Sequence, residues 1–284
     1  MSELDQQQTN RFVTSWLAED VGRGDRTTEA VVAPNAKGRA SIEARQPAVL
    51  AGLDVAGACF ENTSGAVEWL PLLDDGRVVD PGTVLVRLSG SLRTILTAER
   101  TALNILGRLS GIATLTRRYV DEINGTPAQI VDTRKTTPGL RIFEKYAVRV
   151  GGGRNHRFGL DDGVLIKDNH IAAAGGVSEA VRRARAGVPH GLRIQVEVTN
   201  VTELDAALSA GADAVLLDNM TPEQVSDAVT RAGGKVVLEA SGGVTLDNVR
   251  AYAETGVDLI SIGALTHSAV SVDLSLEVEP IDAA

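Results

Sequence analysis

Glu197, Asp218 and Glu239 are spaced 21 residues apart, each at the close of a short apolar run: RIQVEV, AVLLD and VVLE. A fourth run, DLISIG, ends at Gly263, with His267 just beyond it. Segments such as VSEAVRRARAG and TELDAALSAG lie between the runs, and their apolar residues recur at helical spacing. Strands alternating with helices of about 10–15 residues build a parallel sheet. AQIVDTRK (128–135) and GVLIKDNH (163–170) extend the series upstream, so six strands are visible. An eight-fold barrel needs two more, which predicts an open, incomplete α/β barrel, with an open doubly wound sheet as the alternative. In a barrel the carboxyl ends of the strands form the active-site face. The carboxylates, the turn Ser241-Gly242-Gly243 and His267 then share one rim.

The first third of the chain has no such rhythm. Residues 10–20 (NRFVTSWLAED) read as an amphipathic helix broken by Gly22-Arg23-Gly24-Asp25. GRASIEAR (38–45) alternates like a half-buried strand, LDVAGACFEN reads as helical, AVEWLPLL as extended, and Asp80-Pro81-Gly82 as a turn before the strand TVLVRL. This non-repeating order predicts an α+β sandwich. Ser91 is placed to cap a long helix, and Gly111 to start another that ends near Asn124-Gly125. The expected domains are 1–110, onto which the C-terminal tail can pack back, and 111–284, the barrel.

Composition narrows the partners. Aromatic residues are 3% of the 284, too few for binding single-stranded nucleic acid through stacked bases. No run of 18 apolar residues exists, so no membrane span is expected. MSELDQQQTNRF lacks the basic and apolar regions of a signal peptide, and the lone Cys59 suits a reducing compartment, so a cytoplasmic protein is expected. The formal charge is −9, yet Arg134, Lys135, Arg141, Lys145, Arg149, Arg154 and Arg157 stand against Glu144 alone. Such concentration predicts a local anion site.

Glu197 and Asp218 on neighbouring strand ends suit Mg²⁺, which keeps several waters and bridges to substrate phosphates; each could instead cap a helix or pair with a lysine. Glu239, immediately before Ala240-Ser241-Gly242-Gly243, reads as orienting that turn. Ser241-Gly242-Gly243 and Gly263 follow the last two strands, where barrels of this type often bind phosphate. Arg134, Lys135, Arg157 and Lys167 flank the first two strands, with His156 adjacent, a set suited to a substrate with several carboxylates and a polyphosphate. Lys167 also fits a Schiff-base nucleophile or an ion pair with Glu197 or Asp218. No P-loop, GxGxxG, GxSxG or paired zinc spacing is present.

Taken together, DTRKTTPGLR (132–141), GGGRNHRFGLDDGVLIKDNH (151–170), EVT (197–199), LLDN (216–219), EASGG (239–243) and SIGALTH (261–267) resemble the quinolinate phosphoribosyltransferase family. EDVGRGDRTTE and AERTALNIL (98–106) resemble its N-terminal segment. The resemblance implies that quinolinate and phosphoribosyl pyrophosphate give nicotinate mononucleotide, pyrophosphate and CO₂, with Mg²⁺. It implies a two-domain homodimer with a seven-stranded open barrel, in which Arg100 completes the neighbouring site. By the same matching Arg134, His156, Arg157 and Lys167 hold the two carboxylates, and Lys135 faces the pyrophosphate. Glu197 and Asp218 take Mg²⁺ and the ribose hydroxyls, while Ser241, Gly242, Gly243, Gly263 and His267 cradle the 5′-phosphate. The rivals are a Schiff-base lyase using Lys167, an anion-binding paralogue associated with molybdenum transport, and nicotinate phosphoribosyltransferase.

Overall fold

The computed structural model describes residues 4–280, so the first three residues of the N-terminal segment and the last four of the tail lie outside it. Its strands are β1 Lys37–Ala44, β2 Ala48–Val49, β3 Val67–Pro71, β4 Val78–Val79, β5 Val84–Ser91, β6 Gln129–Val131, β7 Val164–Ile166, β8 Ile194–Val198, β9 Ala214–Asp218, β10 Val237–Ser241, β11 Leu259–Ser261 and β12 Leu274–Pro280. The chain divides into two compact units, Met1–Leu115 with Ile142–Gly151 and Ala269–Ala284, and Thr116–Arg141 with Gly152–Ser268. No helix among the described residues is long and apolar enough to cross a membrane.

The first unit is built on an antiparallel sheet of order β12-β1-β5-β3. Alternation in β1 turns Ala40, Ile42 and Ala44 to the buried side. β12 pairs with β1 from Gly38↔Pro280 to Ala44↔Leu274, which ties the tail to this unit. The helix Arg141–Val150 also contributes to it: Phe143 is fully buried with its ring 5.4 Å from Phe12 and 5.2 Å from Trp16. Burial of such a side chain contributes about 1.5–3 kcal/mol. Glu144 is fully buried beside it and accepts from Arg108 Nη2 at 2.8 Å. Besides the tail, ring packing holds the later segment Ile142–Gly151 to the first unit, whose first stretch ends at Leu115.

One helix spans Leu92–Glu122, where the sequence suggests a break at Gly111. Ser91 Oγ accepts from the Thr94 backbone N–H at 3.3 Å, as an N-cap should. Gly111 continues the helix because its role is close approach: a Cβ there would collide with the Val270 carbonyl of the same unit. The division between the units falls inside this helix, after Leu115.

The second unit carries a parallel sheet of order β6-β11-β10-β9-β8-β7. Read from β7, the strands follow chain order up to β11 and then meet β6. This order contains no reversal, so the doubly wound alternative, which needs one, is not what the chain forms. An isolated parallel bridge joins Val131 in β6 to Arg154. Val196, Val215, Leu217, Leu238, Ala240 and Ile260 form the buried centre of the strands.

Gly111→Ala provides a test of the continuous helix. In an open helix the change stabilises by up to about 1 kcal/mol, whereas here overpacking against a carbonyl should destabilise by roughly 1–3 kcal/mol. Urea denaturation gives the sign, and a raised midpoint would contradict the packing described.

Candidate active site

Equal spacing in the sequence conceals a stagger in the sheet. Register places both Glu197 and Glu239 opposite Leu216, while Asp218 stands two residues further on, opposite Ser241. Asp218 ends β9, but Glu239 lies in the middle of β10, 1% exposed, and does not hold the glycine turn. Its Oε2 accepts from Gln195 Nε2 at 2.8 Å and lies 3.5 Å from His156 Nε2. Burial raises the Glu239 carboxyl pKa, but hydrogen bonds from His156, Gln195 and Ser261 outweigh it and hold it below the ordinary value. Glu197 is mostly buried, its side chain 14% exposed, and pairs through Oε2 with Lys167 Nζ at 2.6 Å. The salt-bridge alternative for Lys167 is therefore the one the structure forms.

The loops after β6 and before β7 carry the cations. Buried Asp132, directly after β6, accepts from His156 N–H at 2.8 Å and from Asn155 Nδ2 at 2.6 Å. Arg141 donates to Thr136 Oγ1 at 2.9 Å and to the Phe158 carbonyl at 2.9 Å, joining the two loops. These ties set Arg134 and Arg157 in each other's field. The Arg157 pKa is lowered by burial and then by the charge of Arg134, against a smaller opposing effect of Asp162. Arg157 donates to the Gly163 carbonyl at 2.8 Å, but the Nε atoms of both arginines are buried and lack hydrogen-bond partners. Neither forms an ion pair among the described residues. Two guanidiniums so placed can grip a planar anion bidentately. His156, expected on a substrate carboxylate, has both ring nitrogens turned to protein: Nδ1 accepts from Arg157 N–H at 2.8 Å, and Nε2 lies 3.0 Å from Gln195 Oε1.

The remaining residues meet beyond β9, β10 and β11. A Cβ on Gly263 would stand 3.0 Å from Lys135 Cδ and 3.1 Å from His267 Nε2, so these two side chains converge over it. Thr266 Oγ1 donates to the Lys135 carbonyl at 2.8 Å. Gly242 has φ +90°, and a side chain there would collide with Asn219 Oδ1. Asn219 is the one described non-glycine residue with positive φ, 54°. It donates from Nδ2 to Asp218 Oδ2 at 2.8 Å and from its backbone to the Ser241 carbonyl at 2.8 Å. Asn219 thus links the carboxylate of β9 to the glycine turn of β10.

The basic stretch is divided between the two units. Lys145, fully buried, and Arg149 belong to the first, while Arg134, Lys135, Arg141, Arg154 and Arg157 belong to the second. Arg100 also belongs to the first unit; its side chain is 65% exposed, with Glu99 3.8 Å away. Sequence reasoning left Asp132, Arg141, Gln195 and Asn219 without roles. Asn219 directly follows a predicted strand, a signal that could have marked it, whereas Asp132 and Gln195 lie inside predicted strand runs. At Asn219 the left-handed backbone should make Ala destabilising by about 1–2 kcal/mol, with Gly closer to wild type. Thermal melts that rank the two variants equally would count against this backbone role.

Family models for quinolinate phosphoribosyl transferase match here, the N-terminal domain over residues 25–110 and the C-terminal domain over residues 112–277. The chain is 46% identical to the nicotinate-nucleotide pyrophosphorylase [carboxylating] of Mycobacterium leprae, over 92% of this chain and 94% of that protein. It is 44% identical to the probable enzyme of the same name from Synechocystis, over 94% and 91%. The crystal structure of NadC from Streptococcus pyogenes superposes with a TM-score of 0.96 at 39% identity, covering 99% of this chain and 100% of that one. On these matches, carried across both domains, the chain belongs to the quinolinate phosphoribosyltransferase family.

Proposed function

We propose that this protein transfers the phosphoribosyl group of phosphoribosyl pyrophosphate to quinolinate with loss of CO₂, giving nicotinate mononucleotide and pyrophosphate for de novo NAD synthesis. Family membership carries the reaction. The observation that carries the site is the pair Arg134 and Arg157, brought together without ion-pair partners among the described residues. A dicarboxylate offsets their mutual repulsion.

In this reading Arg134 and Arg157 hold and orient quinolinate, with the Lys167–Glu197 pair beside them. Lys135 and His267, converging over Gly263, face the phosphates, and Ser241-Gly242-Gly243 offers backbone N–H groups to the 5′-phosphate. Mg²⁺ fits the donor set. Among the described residues no group of three or more His, Cys, Asp or Glu could enclose a metal, but Mg²⁺ needs only one or two carboxylates beside water and phosphate oxygens. Glu197, which also accepts from Lys167, and Asp218 would hold it. When bound, Mg²⁺ supplies charge neutralisation on the pyrophosphate. Lys135 adds positive charge where the leaving group departs, while the arginines present the pyridine nitrogen to the ribosyl C1. The positive charge of the quaternised nitrogen then stabilises the electron pair left on ring carbon C2 as the 2-carboxylate leaves as CO₂, and C2 takes up a proton from solvent. No covalent bond to the protein is required.

Two finer features belong to the same proposal. The parallel sheet closes as an open barrel of about seven strands, with Arg154 as the seventh position; strand order without reversal and the Val131–Arg154 bridge support this. The enzyme works as a homodimer in the cytoplasm, and exposed, weakly paired Arg100 completes the site of the second copy.

Arg134→Ala should lower kcat/KM for quinolinate by roughly 10²-fold, through loss of a charge-assisted grip. Arg134→Lys should recover little of it, since a point charge does not replace a planar fork. Steady-state kinetics decide, and wild-type constants in the alanine variant would sink the assignment.

A further inference from the structure

Beneath the arginine pair runs a buried chain of hydrogen bonds in which each link fixes the polarity of the next. An ionised Glu239 can only accept, so the Gln195 amide must turn its NH₂ toward Oε2, at 2.8 Å. The amide oxygen of Gln195 is then left facing His156 Nε2, at 3.0 Å, where it can only accept a proton. That puts the imidazole hydrogen on Nε2 and leaves a lone pair on Nδ1, which accepts from the backbone N–H of Arg157 at 2.8 Å. On its other side the same loop is held by Asp132, through His156 N–H and Asn155 Nδ2. The residue carrying one guanidinium of the grip is thus clamped between two buried carboxylates, one acting on main chain and one acting through a ring.

Glu239 is poorly suited to packing alone. It is 1% exposed, and its Oε1 has no hydrogen-bond partner. An ionised group withdrawn from water carries a desolvation penalty that a glutamine of the same shape avoids. The position differs from a glutamine only in dictating direction: a glutamine could offer Gln195 either an NH₂ or a carbonyl, and the order of donors would no longer be fixed.

We infer that Glu239, with Gln195, is a positioning residue for the dicarboxylate grip: it sets the tautomer of His156, and the ring then aims Arg157 by holding its main chain. His156 in this account orients the grip and does not itself bind the substrate. The inference rests on the reading of Arg134 and Arg157 as that grip.

The test is Glu239→Gln in the full-length enzyme, with thermal melting to confirm the fold. The KM for quinolinate should rise about tenfold, as a misaimed contact loses binding, while the KM for phosphoribosyl pyrophosphate stays within about twofold and kcat changes less than the quinolinate KM. Independently of activity, ¹⁵N imidazole spectra should show the His156 proton on Nε2 in wild type and mixed tautomers in the variant. The chain has 4 His, so loss of one signal in His156→Gln assigns it. If Glu239→Gln does not fold, Gln195→Ala should give the same split between the two KM values. An unchanged quinolinate KM with an unchanged tautomer, or an equal loss toward both substrates, overturns the role of Glu239 alone. Failure of the wild type to turn over quinolinate would sink the grip itself, and this role with it.

Discussion

Two like charges held together without an ion pair are the constraint on which the rest of the second unit depends. Arg134 and Arg157 repel, each has a buried Nε without a partner, and a chain of net charge −9 nevertheless leaves them without an ion pair among the described residues, Asp162 opposing the repulsion only in part. Such an arrangement stands only if the loops bearing it are fixed from elsewhere. Asp132 fixes one loop by accepting from His156 N–H and Asn155, and Arg141 ties it to the other through the Phe158 carbonyl. The acidic residues that could neutralise the arginines are committed instead to backbone, amide and imidazole groups, so the net charge at the grip stays positive.

The parallel sheet then separates tasks by strand. Cations gather around β6 and β7, carboxylates on β8 and β9, and glycine turns after β10 and β11. Neighbouring tasks are coupled by single contacts. Lys167 reaches from the end of β7 to Glu197 on β8, and Asn219 joins Asp218 to the turn after β10. Asn219 accepts a left-handed backbone to do so, a form of local strain found at functional sites.

The six parallel strands were legible because a regular strand–helix interval survives in the primary sequence as regularly spaced apolar runs. What the interval does not carry is depth. Glu197, Asp218 and Glu239 share one spacing, yet Glu239 lies inside its strand and Asp218 at the end of its own, because run boundaries and ladder register are set separately. Lys145 and Arg149 read as part of a basic stretch, but the ring packing of Phe143 draws their helix into the first unit. Gly111 reads as a breaker and proves to be a contact point, since the reason for it, the Val270 carbonyl, is far away in sequence. Gln195 could not be found from sequence at all: a polar residue within a strand gives no sign that its partners are a glutamate and a histidine on other elements.

The central claim is that a paired guanidinium site selects a dicarboxylate and commits it to decarboxylating transfer. Its most direct test is release of CO₂ and pyrophosphate by the wild-type protein from phosphoribosyl pyrophosphate and Mg²⁺, with quinolinate in one tube and nicotinate in another. The account predicts equimolar CO₂ and pyrophosphate with quinolinate, and neither with nicotinate. Comparable pyrophosphate release with nicotinate, or none with quinolinate, would contradict it.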